Sequence, residues 1–141
     1  RKEIKIEDIK AVAVPLIETQ VFSLLDAIAV SNTRQALLKL AEVLSLEKYH
    51  LRIHTMIVRQ IRLLLAARLV RSAGGTAQQL KETAGLKTFE ATKIFKQAVG
   101  FTPERLALAL EDCLETELAL KSSGGDPELL LEMMVIKLCQ C

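Results

Sequence analysis

LRIHTMIVRQIRLLLAARLV, residues Leu51–Val70, is the stretch on which the fold turns. It contains neither Gly nor Pro. At about 100° per residue, Ile53, Met56, Ile57, Ile61, Leu64 and Ala67 fall on one broad side, which Val58 and Leu65 extend past half the helical wheel. A helix that is apolar over so much of its circumference must be covered on several sides. The sequence therefore predicts a central helix packed by segments before and after it. A bilayer is the competing environment, and the stretch is about long enough to span one. Arg52, Arg59, Arg62 and Arg68 argue against a membrane, because each arginine near the bilayer centre costs roughly 2.5 kcal/mol or more.

Working outward, the flanking segments carry helix periodicity and helix punctuation. Upstream, Glu7-Asp8 is expected to start a short helix that Pro15 closes. A second helix from about Glu18 to Val30 places Val21, Leu24, Leu25 and Ile28 on one face. Ser31-Asn32-Thr33 supplies a stop and a new cap, and Ala36, Leu37, Leu40, Val43 and Leu44 mark the next helix. The central helix is expected from about Glu47 to Ser72, ended by Gly74-Gly75. Thr76-Ala77-Gln78-Gln79 has the spacing of a capping box, and the short helix it opens stops near Gly85. Thr88 is the expected cap of another helix bearing Phe89, Ile94, Phe95 and Val99. Thr102-Pro103-Glu104 and Asp126-Pro127-Glu128 are two strong helix starts, each with a capping side chain, proline in the first turn and an acid against the dipole. The first is expected to carry Leu106, Leu110, Leu114, Glu117 and Leu118 along one side, the second Leu130, Leu131, Met134 and Leu138. The expected fold is all-α, a compact bundle of about six or seven helices.

Composition agrees with that class. The chain has 141 residues, of which 50% are hydrophobic and only 4% aromatic, so the core is built from helix-forming aliphatics. A mean hydropathy of +0.27 is high for a monomer and points to a surface meant for other subunits. Nineteen basic and seventeen acidic residues leave a net charge of +2, which gives no overall footprint for nucleic acid. Cys113, Cys139 and Cys141 are odd in number and form no CxxC, which fits reduced thiols in a cytoplasmic protein. A chain that opens at Arg1 rather than Met is expected to be a piece of a longer one.

No catalytic constellation is visible, and no cofactor or metal motif. Gly74-Gly75 is followed by Thr76-Ala77 and not by the Lys of a phosphate loop. His50 and His54 have metal-ligand spacing but lack the glutamate of HExxH and a recognisable third ligand, so they are read as partly exposed surface histidines. Cys113 is read as a buried structural thiol. Residues 76–99, TAQQLKETAGLKTFEATKIFKQAV, have the outline of a helix-turn-helix, in which Lys87, Thr88, Thr92 and Lys93 would face a DNA major groove. Against this, Lys81 stands where two helices cross closely, and Phe89, Phe95 and Val99 make the second helix more apolar than reading requires. Two core helices joined by a glycine turn is the preferred reading, and a DNA-binding regulator the alternative.

Three stretches in order carry a resemblance: VFSLLDAI at Val21–Ile28, RQIRLLL at Arg59–Leu65, and LETELALKSSGGDPELLLEMMVIKLC at Leu114–Cys139. Together they resemble the C-terminal part of the delta subunit of the bacterial DNA polymerase III clamp loader, over about Ile4 to Cys139. Glu117 replaces a frequent Asp and Ser122-Ser123 a more usual Thr-Gly, changes that leave the helix and turn chemistry intact. The resemblance implies that residues 1–17 end a preceding AAA-like lid domain and its linker, and that residues 18–141 form a helical collar domain. It further implies a non-catalytic subunit-interaction role in DNA replication. The partners would be the other clamp loader subunits, the sliding clamp through an N-terminal domain absent here, and at most a minor contact with primer-template DNA. Arg59, Arg62 and Lys121 are the candidate interface residues, with solvated basic side chains as the alternative reading of each.

Overall fold

A computed structural model describes residues 6–122 and 124–140, the first ten of these as backbone. Among the described residues the fold is seven α-helices and one 3-10 turn, with no strand. In order they are α1 Ile6–Ala29, α2 Thr33–Leu46, α3 His50–Ser72, α4 Ala77–Ala84, α5 Thr88–Gln97, a 3-10 turn Ala98–Gly100, α6 Pro103–Lys121 and α7 Pro127–Cys139.

The central position of α3 is as expected: it touches each of the other six helices. Ile53, Ile57, Ile61, Leu64 and Ala67 are completely buried or nearly so, and Met56, Val58 and Leu65 are half-buried at the edges of that face. Burying each of the large aliphatics contributes about 1.5–3 kcal/mol. Val21, Leu24, Leu25 and Ile28 of α1, Ala36, Leu40 and Val43 of α2, and Leu131, Met134, Val135 and Leu138 of α7 complete the core.

Most boundaries follow local chemistry. Ser31 takes the left-handed conformation after α1 (φ 56°), and Asn32 accepts the Gln35 N–H at 3.1 Å to cap α2. Thr76 and Gln79 form the reciprocal capping box, and Thr102 accepts the Arg105 N–H at the start of α6. Gly85 closes α4 at φ 68°, a conformation that costs a residue with a Cβ about 1–2 kcal/mol.

Several expectations are corrected. Residues 6–29 form one helix, not a short helix closed by Pro15 and a second from Glu18. Proline removes one N–H and crowds one carbonyl, at about 3 kcal/mol. No glycine adds to that cost between Ile6 and Ala29, and the buried second half anchors the helix. α1 runs across the expected boundary between residues 17 and 18, which bears on the extent of the helix and not on the domain division. The central helix begins at His50 because the Glu47 carboxylate instead accepts the Tyr49 N–H at 3.1 Å and the Arg52 guanidinium at 3.0 Å. Thr88 is the first residue of α5 rather than its cap; Lys87 holds the cap position without a side-chain bond.

Candidate interaction surfaces

Leu114 and Leu118, expected inward, are 58% and 63% exposed. The buried side of α6 is instead Leu106 and Cys113, with Leu110 half-buried at its edge. On α3 the steps 51, 55, 58, 62, 65, 69 trace a matching edge, along which Leu51 and Leu69 are also exposed. The two edges adjoin, since Thr55, Val58, Arg62 and Leu63 line one shallow cleft with Glu117 of α6. Lys121 donates to Glu117 at 2.8 Å. That hydrogen bond and the Lys121 charge hold the Glu117 carboxyl below its usual range, with Arg62 adding a smaller share. Arg62 and Lys121 therefore flank one carboxylate within a two-helix leucine face.

Arg59 lines this cleft too and reaches a second feature. It pairs with Glu90 at 3.2 Å and lines a groove of about 560 Å3 between α1, α3 and α5. Val21, Phe22, Met56, Gln60 and Ile94 also line this groove, together with Phe89, Lys87 and Lys93. Phe89 is 76% exposed, contrary to its expected core role, and Val99 is also exposed. Of the four residues of the DNA-reading alternative, Lys87, Thr88 and Thr92 are exposed and Lys93 is half-buried. The Thr92 hydroxyl donates back to the Thr88 carbonyl at 2.9 Å, and Lys93 Nζ lies 4.1 Å from the Phe22 ring centroid. Thr92 and Lys93 are thus turned to neighbours within the domain, and a helix-turn-helix is not the favoured reading.

Three buried polar groups escape a reading of the sequence. His54, expected at the surface, is 2% exposed, and its Nε2 donates to the Cys113 carbonyl at 2.7 Å. Gln60 donates to Gln97 Oε1 at 2.8 Å, and Gln97 donates to the Phe22 carbonyl and to Asp26, both at 2.9 Å. No signal in the sequence distinguishes these glutamines from solvated ones; their partners come from other helices. Among the described residues there is no group of three or more His, Cys, Asp or Glu placed to hold a metal ion. No helix there is long and apolar enough to cross a membrane.

Cys113 and Cys139 are both buried free thiols, while Cys141 lies outside the described residues. Burial, with a smaller push from Asp112, raises the Cys113 thiol from 9.0 to about 12. Burial raises Cys139 as well, opposed by Thr33 and Arg105. Because the folded value of Cys113 lies above the unfolded one, unfolding releases a proton between those values. Its contribution is complete below pH 9 and declines above it by up to about 1.4 kcal/mol per pH unit. Urea unfolding at pH 8 and pH 10 is expected to show a steeper loss of stability for the native chain than for Cys113→Ala. Equal losses in the two proteins would contradict this account of the thiol.

With the geometry in place, comparison with known proteins identifies the domain. A sequence model of the family described as DNA polymerase III delta subunit, C-terminal domain, matches residues 18–138. The chain belongs to this family. The chain is 25% identical over 138 residues to the DNA polymerase III subunit delta of Bacillus subtilis (strain 168), covering 98% of this chain and 40% of that protein. The Bacillus subtilis DNA clamp loader delta protein (YqeN) superposes with a TM-score of 0.83 at 24% identity, over all of this chain and 42% of that one. This second likeness concerns the fold. The chain thus spans about two-fifths of the length of the relatives it matches.

Proposed function

We propose that this domain is a subunit-interaction domain of a clamp loader. It would pack as a collar with its counterparts from the other subunits and so support loading of a sliding clamp onto primed DNA. The observation that carries this reading is the leucine face. Leu51 and Leu69 of α3 with Leu114 and Leu118 of α6 expose apolar side chains at helical spacing, in a chain whose core is already complete. Scattered exposed leucines need no explanation, whereas a stripe shared by two adjoining helices is the anatomy of an interface centre with a polar rim. Arg62 and Lys121 supply part of that rim, Lys121 bonded to Glu117 and Arg62 lining the same cleft. Arg59 lines the same cleft and also the wall of the groove between α1, α3 and α5.

Under this reading the domain performs no catalysis of its own. Residues 1–17 carry the end of an AAA-like lid domain and a linker, and the uninterrupted α1 transmits the position of that domain to the collar. The sliding clamp would be engaged through the N-terminal domain, and primer-template DNA at most in a minor way, in the cytoplasm. The test is co-purification of the full-length parent with the other clamp loader subunits of the same organism. Recovery of a stoichiometric complex is expected. A parent that remains apart from those subunits and does not bind a sliding clamp would overturn the proposal.

A further inference from the structure

The groove between α1, α3 and α5 contains none of the exposed leucines and is not needed to explain them; Arg59 alone lines both the groove and the cleft beside Glu117. Its floor is apolar, formed by Val21, Met56 and Ile94, and one wall is the exposed ring of Phe89. The floor is set before any partner arrives, because Gln60 is bonded to Gln97 and Gln97 to the α1 backbone at Phe22. Arg59, Lys87 and Lys93 face Glu18 and Glu90 around it. Arg59 neutralises Glu90 at 3.2 Å, which leaves two lysines against one carboxylate. Neither lysine meets a carboxylate among the described residues; Lys93 rests on the rings of Phe22 and Phe89 at 4.1 and 5.5 Å.

We propose that this groove receives a short acidic segment of a partner protein, seating one aliphatic or aromatic side chain on the floor of Val21, Met56 and Ile94 beside Phe89, and its carboxylates on Lys87 and Lys93. Aromatic walls beside unpaired cations complement a side chain of that kind flanked by acids, and a cleft of about 560 Å3 is in the range that encloses a ligand of such size. A nucleic acid fits less well. Its affinity comes from neutralising a run of phosphates, whereas the groove offers two unpaired lysines and includes Glu18 and Glu90 in its lining.

The test is selection of a phage-displayed random peptide library on the 141-residue chain, with synthetic copies of the enriched peptides then titrated by fluorescence anisotropy. Enriched peptides are expected to place at least two acids around an aliphatic or aromatic residue. The double variant Lys87→Glu, Lys93→Glu and the single variant Phe89→Ala should each weaken them by on the order of tenfold or more, with unchanged circular dichroism. Enrichment of no sequence or of basic sequences would overturn the proposal, as would peptides that bind the double variant equally well. Binding of a deoxythymidine oligonucleotide that competes with the peptides and matches their affinity would overturn it too. The leucine face is untouched by these variants, so co-assembly with other subunits reports separately on the collar.

Discussion

Replacing Arg105 with Met is expected to lower the melting temperature of the chain by about 10 °C, which corresponds to about 3 kcal/mol for a domain of this size. Arg105 stands in the first turn of α6, and its guanidinium donates to the carbonyls of Ala29 at 2.8 Å and Ile28 at 2.5 Å, at the end of α1. The same group reaches the Leu138 carbonyl near the end of α7 at 3.3 Å and lies 5.2 Å from the Phe101 ring. One cation thus ties the start of one helix to the C-terminal ends of two others, where the helix dipoles favour positive charge. Hydrogen bonds from charged donors contribute about 1.5–3 kcal/mol each. Part of this is offset, because Arg105 Nε is buried without a partner. Arg105→Lys keeps the charge but loses the planar fork and is expected to recover less than half of the stability. Thermal unfolding followed by circular dichroism measures both. A shift of under about 2 °C for the Met variant would show that the three helix ends hold together without this residue.

Gln97→Leu is expected to cost about 2–3 kcal/mol, and adding Gln60→Leu should recover most of that loss. The asymmetry comes from burial. In the native chain Gln97 accepts from Gln60 and donates to the Phe22 carbonyl and to Asp26, so both buried amides are satisfied. The single substitution leaves the Gln60 amide 8% exposed with its acceptor gone. The double substitution removes both polar partners together; Asp26 is exposed and returns to water. Urea denaturation of the two variants decides the matter. A double variant that is less stable than the single one would mean that the pair acts through shape rather than through polar satisfaction.

The helices were legible because their ends carry local chemistry. Thr76 with Gln79, Thr102 with Pro103, Asp126 with Pro127 and the glycines at 74 and 85 mark boundaries that depend on neighbours a few residues away. Periodicity likewise placed Ile53, Ile57, Ile61 and Leu64 in the core. What stayed hidden depends on distance in the chain. Arg105 and Ile28 are 77 positions apart, Gln60 and Gln97 are 37 apart, and His54 and Cys113 are 59 apart, so nothing local distinguishes these polar residues from solvated ones.

The misplacement of Leu114, Leu118 and Phe89 has a different cause. Apolar spacing reports that a face avoids water, but the cover can be the chain's own core or another molecule, and the pattern is the same in both cases. Arg59 and Arg62 show the converse. They share a helix and are three positions apart, and both line the cleft beside Glu117, yet only Arg59 also reaches the groove, where it pairs with Glu90. The approach of α5 on that side gives Arg59 its second neighbourhood.

The most direct test of the proposed collar role is to place Leu114→Asp and Leu118→Asp together in the protein and follow its assembly with clamp loader subunits of the same organism by analytical ultracentrifugation. Both side chains are exposed, so the isolated domain should keep its helix content and melting temperature. The predicted result is a folded protein that sediments apart from its partners, with affinity lowered by on the order of a hundredfold or more. A variant that assembles as the native protein does would contradict the claim that this leucine face joins the subunits.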